Sequence, residues 1–409
     1  IENDLSYYKY SQYYIPFNAE GGFYNQALFT LRTFKINSVS DANYLMNWLK
    51  DYSAFLLNYI PILEKGIDNK IMPPKLIVEN NLSLIKPFLV DNLSEHPLYS
   101  PFLNAGHALG DKDIKNVSTK SVILFKEDLI PAYQKLYDFL KEQYLPEAYE
   151  KIGVSEMPMG KDYYRNRIHH YATYEISPEE VHQIGLNEVK RIKKLMIKCI
   201  DSSGYDGSFE EFLTFLREHP RFYPRTDREL LHFAAWLSKK AEGQLPKYFS
   251  NLPELPFTVE PVPLAIAPNY TAGRFVHGSW DRMEAGIYWV NTYNLSSRSL
   301  YNLPALTLHE AVPGHHLQTQ LAAEQDNLSD FRRDYYISAF GEGWGLYSEF
   351  LGEEMGMYSN VYELFGRYTY EMWRACRLVV DTGMHFKGWT RKKAIEFLSS
   401  NTALSMHEV

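Results

Sequence analysis

The sequence predicts a mainly α protein with one small β element. Helical periodicity dominates residues 1–245, prolines concentrate between 251 and 286, and helical patterns resume near residue 302 and continue to the end. A segment with so many prolines cannot form a long helix, so we expect extended segments and loops between residues 251 and 286. The chain has 409 residues, more than one compact core usually needs. We therefore expect one large domain with two lobes, approximately residues 1–245 and 246–409.

The clearest helix of the first region is "ISPEEVHQIGLNEVKRIKKLMIKCI". Ser177 is a good N-cap, Pro178 suits the first helical position, and Glu180 completes a capping box. Apolar residues then follow at helical spacing, namely Val181, Ile184, Val189, Ile192, Met196 and Cys199. A second helix, "DRELLHFAAWLSKKAEG", is expected to end near Gly243, ahead of Pro246.

The β element is predicted between residues 251 and 292. Prolines at 253, 256, 261, 263 and 268 exclude a long helix in "NLPELPFTVEPVPLAIAP". The segment "GIYWVNT", residues 286–292, is aromatic and β-branched, which is typical of a strand. We expect this strand at a sheet edge.

Composition excludes several classes of partner. The net charge is −8 and no basic stripe is present, so we do not expect nucleic acid binding. No apolar run reaches the roughly 18 residues of a membrane span. The two cysteines, Cys199 and Cys376, lie among apolar residues and are predicted to be buried free thiols.

The segment "LHEAVPGHHLQTQ" begins like a zinc-protease helix, with His309 followed by Glu310. The usual second histidine is replaced by Pro313, and His315 and His316 come six and seven residues after the first. In an unbroken helix, seven residues rise by about 10.5 Å. Two zinc–nitrogen bonds of about 2.0–2.1 Å do not span that distance.

A broken helix would remove this difficulty. Pro313 and Gly314 favour a widened turn at 311–314, which would bring His315 or His316 beside His309. Three histidines and one glutamate in eight residues then indicate a metal site. The alternative is an ordinary kinked helix with histidines at its bend.

A third metal ligand is predicted downstream, in "FGEGWGLYSEFLGEEMGMY". Zinc hydrolases commonly use two histidines and one carboxylate. Glu342 lies between Gly341 and Gly343, which allow close packing against another segment. Glu349 is seven residues later on the same helical face, where it could hydrogen-bond a ligand imidazole. The alternative is an acidic helix face in solvent.

Three segments carry a family resemblance: "LHEAVPGHHLQ", "EGWGLYSEFLGEEMGMY" and "EMWRACRLVVDTGMHFKGWTRKKAIEFL". They resemble the bacterial DUF885 family, with weaker likeness from about residue 160 onward. Proteins of this family resemble the gluzincin-type zinc metallopeptidases, which include angiotensin-converting enzyme and the thermostable carboxypeptidases. The resemblance implies a large, two-lobed, mainly α, zinc-peptidase-like fold around a deep cleft, with a small β element.

The resemblance also implies roles for the residues of the first segment. His309 matches the first histidine ligand, and Glu310 matches the general base. The Gly-His-x-Leu pattern of the relatives aligns with "GHHL", which favours His315 as the second ligand and keeps His316 as the alternative.

Glu342 matches the downstream glutamate ligand of the relatives, and Glu349 stands where they show a second glutamate. The relatives continue beyond Val409 into a segment with Pro-Gly-Gln and a tyrosine near the cleft. If this protein ended at Val409, that wall would be missing and activity would be in doubt. If the chain were trimmed, the loss would be only apparent.

The expected function is zinc-dependent hydrolysis of peptide bonds, with Zn2+ as cofactor and a peptide as substrate. Arg374 could bind a substrate carboxylate or organise the cleft, with Asp381 on the same helical face as its neutralising partner. Tyr288 or His385 could stabilise the oxyanion, and the strand "GIYWVNT" could bind extended substrate by strand addition.

Two alternatives stay open. One is a non-catalytic protein that binds peptides or a partner through a degenerate metal site. The other is a zinc amidase or esterase acting on a non-peptide substrate. The resemblance weakly favours a periplasmic or cell-envelope location. The sequence does not distinguish exo-cleavage from endo-cleavage, and it does not predict an oligomeric state.

Overall fold

A computed structural model of the chain describes residues 2–31, 34–264, 266–279, 282–325 and 327–409. The predicted mainly α architecture with a small β element is confirmed. The helices are α1 Glu2–Lys9, α2 Gln26–Thr30, α3 Val39–Asn58, α4 Ile60–Asn69, α5 Lys75–Ile85, α6 Ser100–Asn104, α7 Asp111–Leu124, α8 Ile130–Phe139, α9 Leu145–Glu147, α10 Gly160–Ala172, α11 Pro178–Ser203, α12 Phe209–Glu218, α13 Asp227–Glu242, α14 Leu245–Tyr248, α15 Leu303–Glu310, α16 His315–Ala323, α17 Asp330–Asp334, α18 Ser338–Glu354, α19 Val361–His385 and α20 Arg391–Asn401. The strands are β1 Phe17–Asn18, β2 Gly21–Gly22, β3 Phe257–Pro261, β4 Gly273–Val276 and β5 Gly286–Val290.

The chain divides into two compact units, Ile1–Tyr164 and Arg165–Val409. The first unit has an aromatic core in which Phe88 and Tyr133 stack with ring centroids 4.5 Å apart. Two buried hydroxyls in this core donate to backbone carbonyls. Tyr133 donates to the carbonyl of Tyr24, and Tyr52 donates to that of Phe23.

The second unit is organised around the packing of α11 on α19. A Cβ at Gly185 of α11 would lie 2.7 Å from Val379 of α19, so the close approach needs glycine there. The capping box predicted for α11 is confirmed by the reciprocal bonds of Ser177 and Glu180. The lobe boundary predicted near residue 245 lies inside this unit, because α11 packs on α19 and α13 packs on α15.

A three-stranded sheet with the order β3-β5-β4 also lies in the second unit. Strand β5 pairs in parallel with β3 and antiparallel with β4. The expectation that "GIYWVNT" forms a strand is confirmed, but its placement at a sheet edge is wrong. Strand β5 is central because β3 and β4 pair on its two sides, and Tyr288 and Trp289 bury its two faces.

Within the described residues, no helix is both long enough and apolar enough to serve as a membrane span. Cys199 and Cys376 are buried free thiols, as predicted. Burial raises the pKa of Cys199 to about 11 and that of Cys376 to about 12. Neither thiol is therefore a reactive nucleophile at neutral pH.

Candidate metal centre

The turn between α15 and α16 is the break that the sequence predicts. Helix α15 ends at Glu310, and α16 begins at His315. A Cβ at Gly314 would lie 1.8 Å from the carbonyl oxygen of His309, so this turn folds back tightly on the end of α15. The indole of Trp344 donates to the carbonyl of Pro313 at 2.7 Å and fixes the turn against α18.

This fold-back places His309, His315 and Glu342 together. One nitrogen or oxygen from each residue lies within 4.8 Å of the others. His309 Nε2 is 3.3 Å from Glu342 Oε2, and His315 Nε2 is 3.7 Å from Glu342 Oε1. The two imidazoles are nearly perpendicular, with ring centroids 4.7 Å apart. Among the described residues, this is the group of histidine, cysteine and acidic side chains that could hold a metal ion.

The donor set fits zinc. Two imidazoles and one carboxylate form the common ligand set of zinc hydrolases. Bonds of about 2.0–2.1 Å in tetrahedral geometry place donor atoms about 3.3 Å apart. His309 Nε2 lies 3.3 Å from one oxygen of Glu342 and His315 Nε2 lies 3.7 Å from the other, and the three donors lie within 4.8 Å of one another. The side chain of Glu342 is 59% exposed, whereas that of His309 is 5% exposed, so the cluster opens to solvent on the glutamate side.

Helix α18 packs against the imidazole ring of His309. A Cβ at Gly345 would lie 2.4 to 2.7 Å from three atoms of the His309 ring, so only glycine leaves room for the imidazole. A Cβ at Gly341 would meet the hydroxyl of Tyr336, whereas one at Gly343 would meet nothing within 4 Å. The predicted close packing therefore occurs at Gly341 and Gly345 and not at Gly343.

Glu349 contacts the Nδ1 side of the His309 ring. Its buried carboxylate lies 2.8 Å from His309 Nδ1 and 2.7 Å from Nη2 of Arg374. Nη2 also lies 3.0 Å from Nδ1, but the carboxylate is the natural acceptor for both donors. A hydrogen on Nδ1 leaves Nε2 facing Glu342, which is the orientation that a metal ligand needs.

The side chains of the cluster strongly shift one another's pKa values. Burial opposes the charged form of His309, but its hydrogen bonds to Glu342 and Glu349 raise its pKa to about 9. The hydrogen bond from His309 lowers the pKa of Glu342 to about 2, against the effect of burial. Burial and the nearby charge of His309 lower the pKa of His315 to about 4. At neutral pH, His309 and Glu342 therefore form an ion pair beside a neutral His315.

Glu310 lies at the end of α15, and strand β4 contacts it. The backbone amide of Phe275 donates to Glu310 Oε2 at 2.8 Å. Burial raises the pKa of Glu310, and this amide and the charges of His309 and Arg274 oppose the shift in part. One oxygen of the Glu310 carboxylate thus accepts a hydrogen bond from β4. The raised pKa of Glu310 brings its proton exchange nearer to neutral pH.

The remaining predicted site residues lie outside the donor cluster. His316 packs between Phe257 and Phe275, with ring centroids 4.7 and 5.3 Å away, and its buried Nδ1 has no hydrogen-bond partner among the described residues. Tyr288 is fully buried, and its hydroxyl lies 3.4 Å from Thr307 Oγ1.

Arg374, Asp381 and His385 all lie on α19. Arg374 is already bonded to Glu349. Asp381 pairs with His385 at 3.7 Å. Asp381 is seven positions and His385 eleven positions beyond Arg374, which correspond to rises of roughly 10 and 16 Å along the helix. The structure therefore brings Arg374 to the metal cluster and keeps the Asp381–His385 pair well along the helix from it.

Three residues near the cluster were missed by the sequence reasoning. Phe275 contacts Glu310 through its amide, which carries no sequence signal. Tyr336 donates to Glu342 Oε1 at 3.3 Å, and Arg274 in β4 acts electrostatically on Glu310. The side chains of Arg274 and Tyr336 could have been considered from the sequence. Arg274 lies in "GRFV", ahead of the predicted strand, and Tyr336 lies six residues before Glu342.

These features define a class: mainly helical proteins with a two-histidine, one-glutamate cluster built on a broken helix. The chain belongs to the DUF885 family, described as bacterial protein of unknown function, which it matches over residues 2–409. No curated protein matches the chain.

Two solved structures are similar to it. One is named a putative lipoprotein from Colwellia psychrerythraea, with a TM-score of 0.86 and 30% identity, and the match covers 92% of this chain and 66% of that one. The other is named a putative lipoprotein of unknown function from Shewanella oneidensis, with a TM-score of 0.57 and 14% identity over 92% of this chain and 75% of that one. The second likeness shows the fold alone.

Proposed function

We propose that the chain is a zinc-dependent hydrolase that cleaves peptide bonds, with a fold related to the gluzincin peptidases. The observation that carries the proposal is the convergence of His309, His315 and Glu342 within 4.8 Å. Glu310 follows His309 in the chain, and the charges of His309 and Glu342 act on it. The donor set fits zinc, and the resemblance of the HEAVPGHH segment to zinc-peptidase helices supports the same reading. A bound zinc ion would polarise the substrate carbonyl and lower the pKa of a water molecule.

Glu310 is the general base of the proposed reaction. The Phe275 amide occupies Oε2, so Oε1 is the oxygen left to accept a proton from water. The raised pKa of Glu310 suits a group that takes this proton and then returns it to the leaving amine. Its burial excludes competing water from the carboxylate.

The substrate backbone adds to the edge of β4. Strand β5 cannot accept another strand, because β3 and β4 already occupy both of its sides. The outward amide of Phe275 lies on the free side of β4, next to Glu310. Because this amide already donates to Glu310, an extended peptide would pair with the other backbone groups on this side of β4. It would pass the catalytic carboxylate, and main-chain hydrogen bonds would provide affinity.

Tyr336 replaces Tyr288 and His385 as the proposed oxyanion donor. Its side chain is 49% exposed, and its hydroxyl lies 3.3 Å from Glu342 Oε1. Burial and the neighbouring carboxylates Glu342 and Glu310 raise its pKa, so the hydroxyl keeps its proton at neutral pH. A protonated hydroxyl at the rim of the cluster can donate to a developing negative charge.

The name of the Colwellia psychrerythraea neighbour, a putative lipoprotein, also supports a cell-envelope location, which we include in the proposal.

The test combines metal content and hydrolysis. Protein purified without chelator should contain about one zinc per chain by elemental mass spectrometry. It should cleave members of a pooled tetrapeptide mixture, as detected by mass spectrometry. Chelation should abolish cleavage, and Glu310→Gln should abolish it while keeping the zinc.

Other outcomes would change the assignment. No bound metal, even after zinc is added, would overturn the proposal and favour a peptide-binding protein. Cleavage of small amides or esters but of no peptide would keep the metal chemistry and replace the substrate class.

A further inference from the structure

Arg274 is a positively charged residue near the proposed catalytic base Glu310, and the proposed mechanism gives it no role. It lies on β4, directly before Phe275, whose amide contacts Glu310. Its side chain is exposed, and its guanidinium carbon lies 5.1 Å from the ring centroid of Tyr270. No ion pair within the described part of the chain includes Arg274. Its charge nevertheless acts on Glu310.

Arg374, the arginine first considered for substrate binding, is already committed to the protein. Its guanidinium lies 2.7 Å from the buried carboxylate of Glu349 and 3.0 Å from His309. Releasing it to a substrate would leave Glu349 as an uncompensated buried charge, which is costly. No carboxylate among the described residues pairs with Arg274, which is open to solvent, so it can bind a ligand without leaving a buried charge unpaired.

The charges of the cluster make this cation significant. Glu310 and Glu342 would repel an anionic group of the substrate that approached along β4. A cation offsets this repulsion, and beyond the proposed zinc ion the cation on β4 that can do so is Arg274. The guanidinium fork matches the geometry of a carboxylate and gives two parallel hydrogen bonds.

From this arrangement we propose that Arg274 binds a carboxylate of the substrate, close to the cleaved bond. The inference rests on the proposed peptidase function and specifies its substrate class. The carboxylate has two sources, the C-terminus of a peptide or the side chain of an acidic residue. In the first case the protein removes residues from the C-terminus, and in the second case it cleaves beside an acidic side chain.

Three N-acetylated peptides distinguish these sources: Phe-Ala-Ala as the free acid, the same peptide as its C-terminal amide, and Phe-Glu-Ala as its C-terminal amide. Binding is measured by calorimetry on zinc-loaded Glu310→Gln protein, and hydrolysis is measured on protein with Glu310 intact. At least one of the two carboxylate peptides should bind about tenfold more tightly than the neutral amide.

Three substitutions, each combined with the Glu310→Gln background for binding, assign the effect. Arg274→Gln should remove the preference while leaving binding of the neutral amide unchanged. Arg274→Lys should keep part of the preference, because the charge stays and the fork is lost. Arg282→Gln is the matched control, since Arg282 is 64% exposed and pairs with Glu284 on the following loop. It should keep the full preference.

A preference for the free acid alone identifies the terminal carboxylate, and a preference for the glutamyl amide alone identifies the side chain. Equal binding of all three peptides, no measurable binding of either carboxylate peptide, or a preference that survives Arg274→Gln overturns the inference. Hydrolysis without a carboxylate preference would leave the proposed function standing. A carboxylate preference in binding without any hydrolysis would instead contradict the proposed function.

Discussion

Gly345→Ala tests the metal cluster through a single methyl group. The new Cβ would lie 2.4 Å from Cε1, 2.6 Å from Nδ1 and 2.7 Å from Nε2 of His309. Carbon contacts are favourable at about 3.5–4.0 Å, so the ring or the helix must move by roughly 1 Å. Metal sites tolerate ligand displacements of only about 0.2 Å. The substitution should therefore remove His309 from the ligand set.

We expect zinc affinity to fall at least about 100-fold, the upper end of what disturbing a ligand's partners costs. The measurement is a competition titration against a chromophoric chelator, with circular dichroism to verify that the helices are retained. Gly343→Ala is the matched control, because it lies on the same helix and its Cβ meets nothing within 4 Å. It should keep the affinity and stabilise the protein by up to about 1 kcal/mol.

Equal zinc affinity in Gly345→Ala and the unsubstituted protein would refute the steric reasoning and the placement of His309 in the site. Equal losses in both alanine variants would show that α18 needs a flexible backbone and that the contact with the ring is irrelevant.

Further predictions concern the ligands and their proton balance. His315→Ala should abolish one-to-one zinc binding in elemental analysis, whereas His316→Ala should keep it; the reverse result would exchange their roles. Glu349→Gln should keep the stoichiometry but weaken zinc affinity by about 10- to 100-fold in the chelator competition, and unchanged affinity would contradict its role as partner of His309. Because the pKa of His309 is about 9 in the metal-free cluster, zinc must displace its proton at neutral pH. Affinity should then rise about tenfold per pH unit from neutrality and level off above pH 9. Calorimetry in buffers of different ionisation enthalpy should detect about one proton released per zinc at pH 7, and no release would contradict the raised pKa.

The helices could be predicted because their signals are local. The capping box at Ser177 and the end of α13 at Glu242 follow from residues within one or two turns. The order of the strands could not be predicted in the same way. The segment "GIYWVNT" is compatible with either a central or an edge strand, and its partners β3 and β4 decide which.

In the candidate site, too, local features could be predicted from the sequence and contacts between distant segments could not. Spacing alone raised the idea that His309 and a later histidine meet across a broken helix, and the turn at Gly314 brings them together. Spacing could not choose between His315 and His316, because the choice depends on the backbone direction after the turn. The contact of Phe275 with Glu310 was beyond sequence reasoning, since it joins backbone to side chain across 35 residues.

His309 has a carboxylate at each ring nitrogen, Glu342 at Nε2 and Glu349 at Nδ1. A doubly protonated imidazole donates to both carboxylates, and together with Arg374 it balances their two negative charges. A metal ion at Nε2 would replace one proton and keep the same neighbours. The ring would then exchange one proton for the metal, while Glu349 kept its contact with Nδ1.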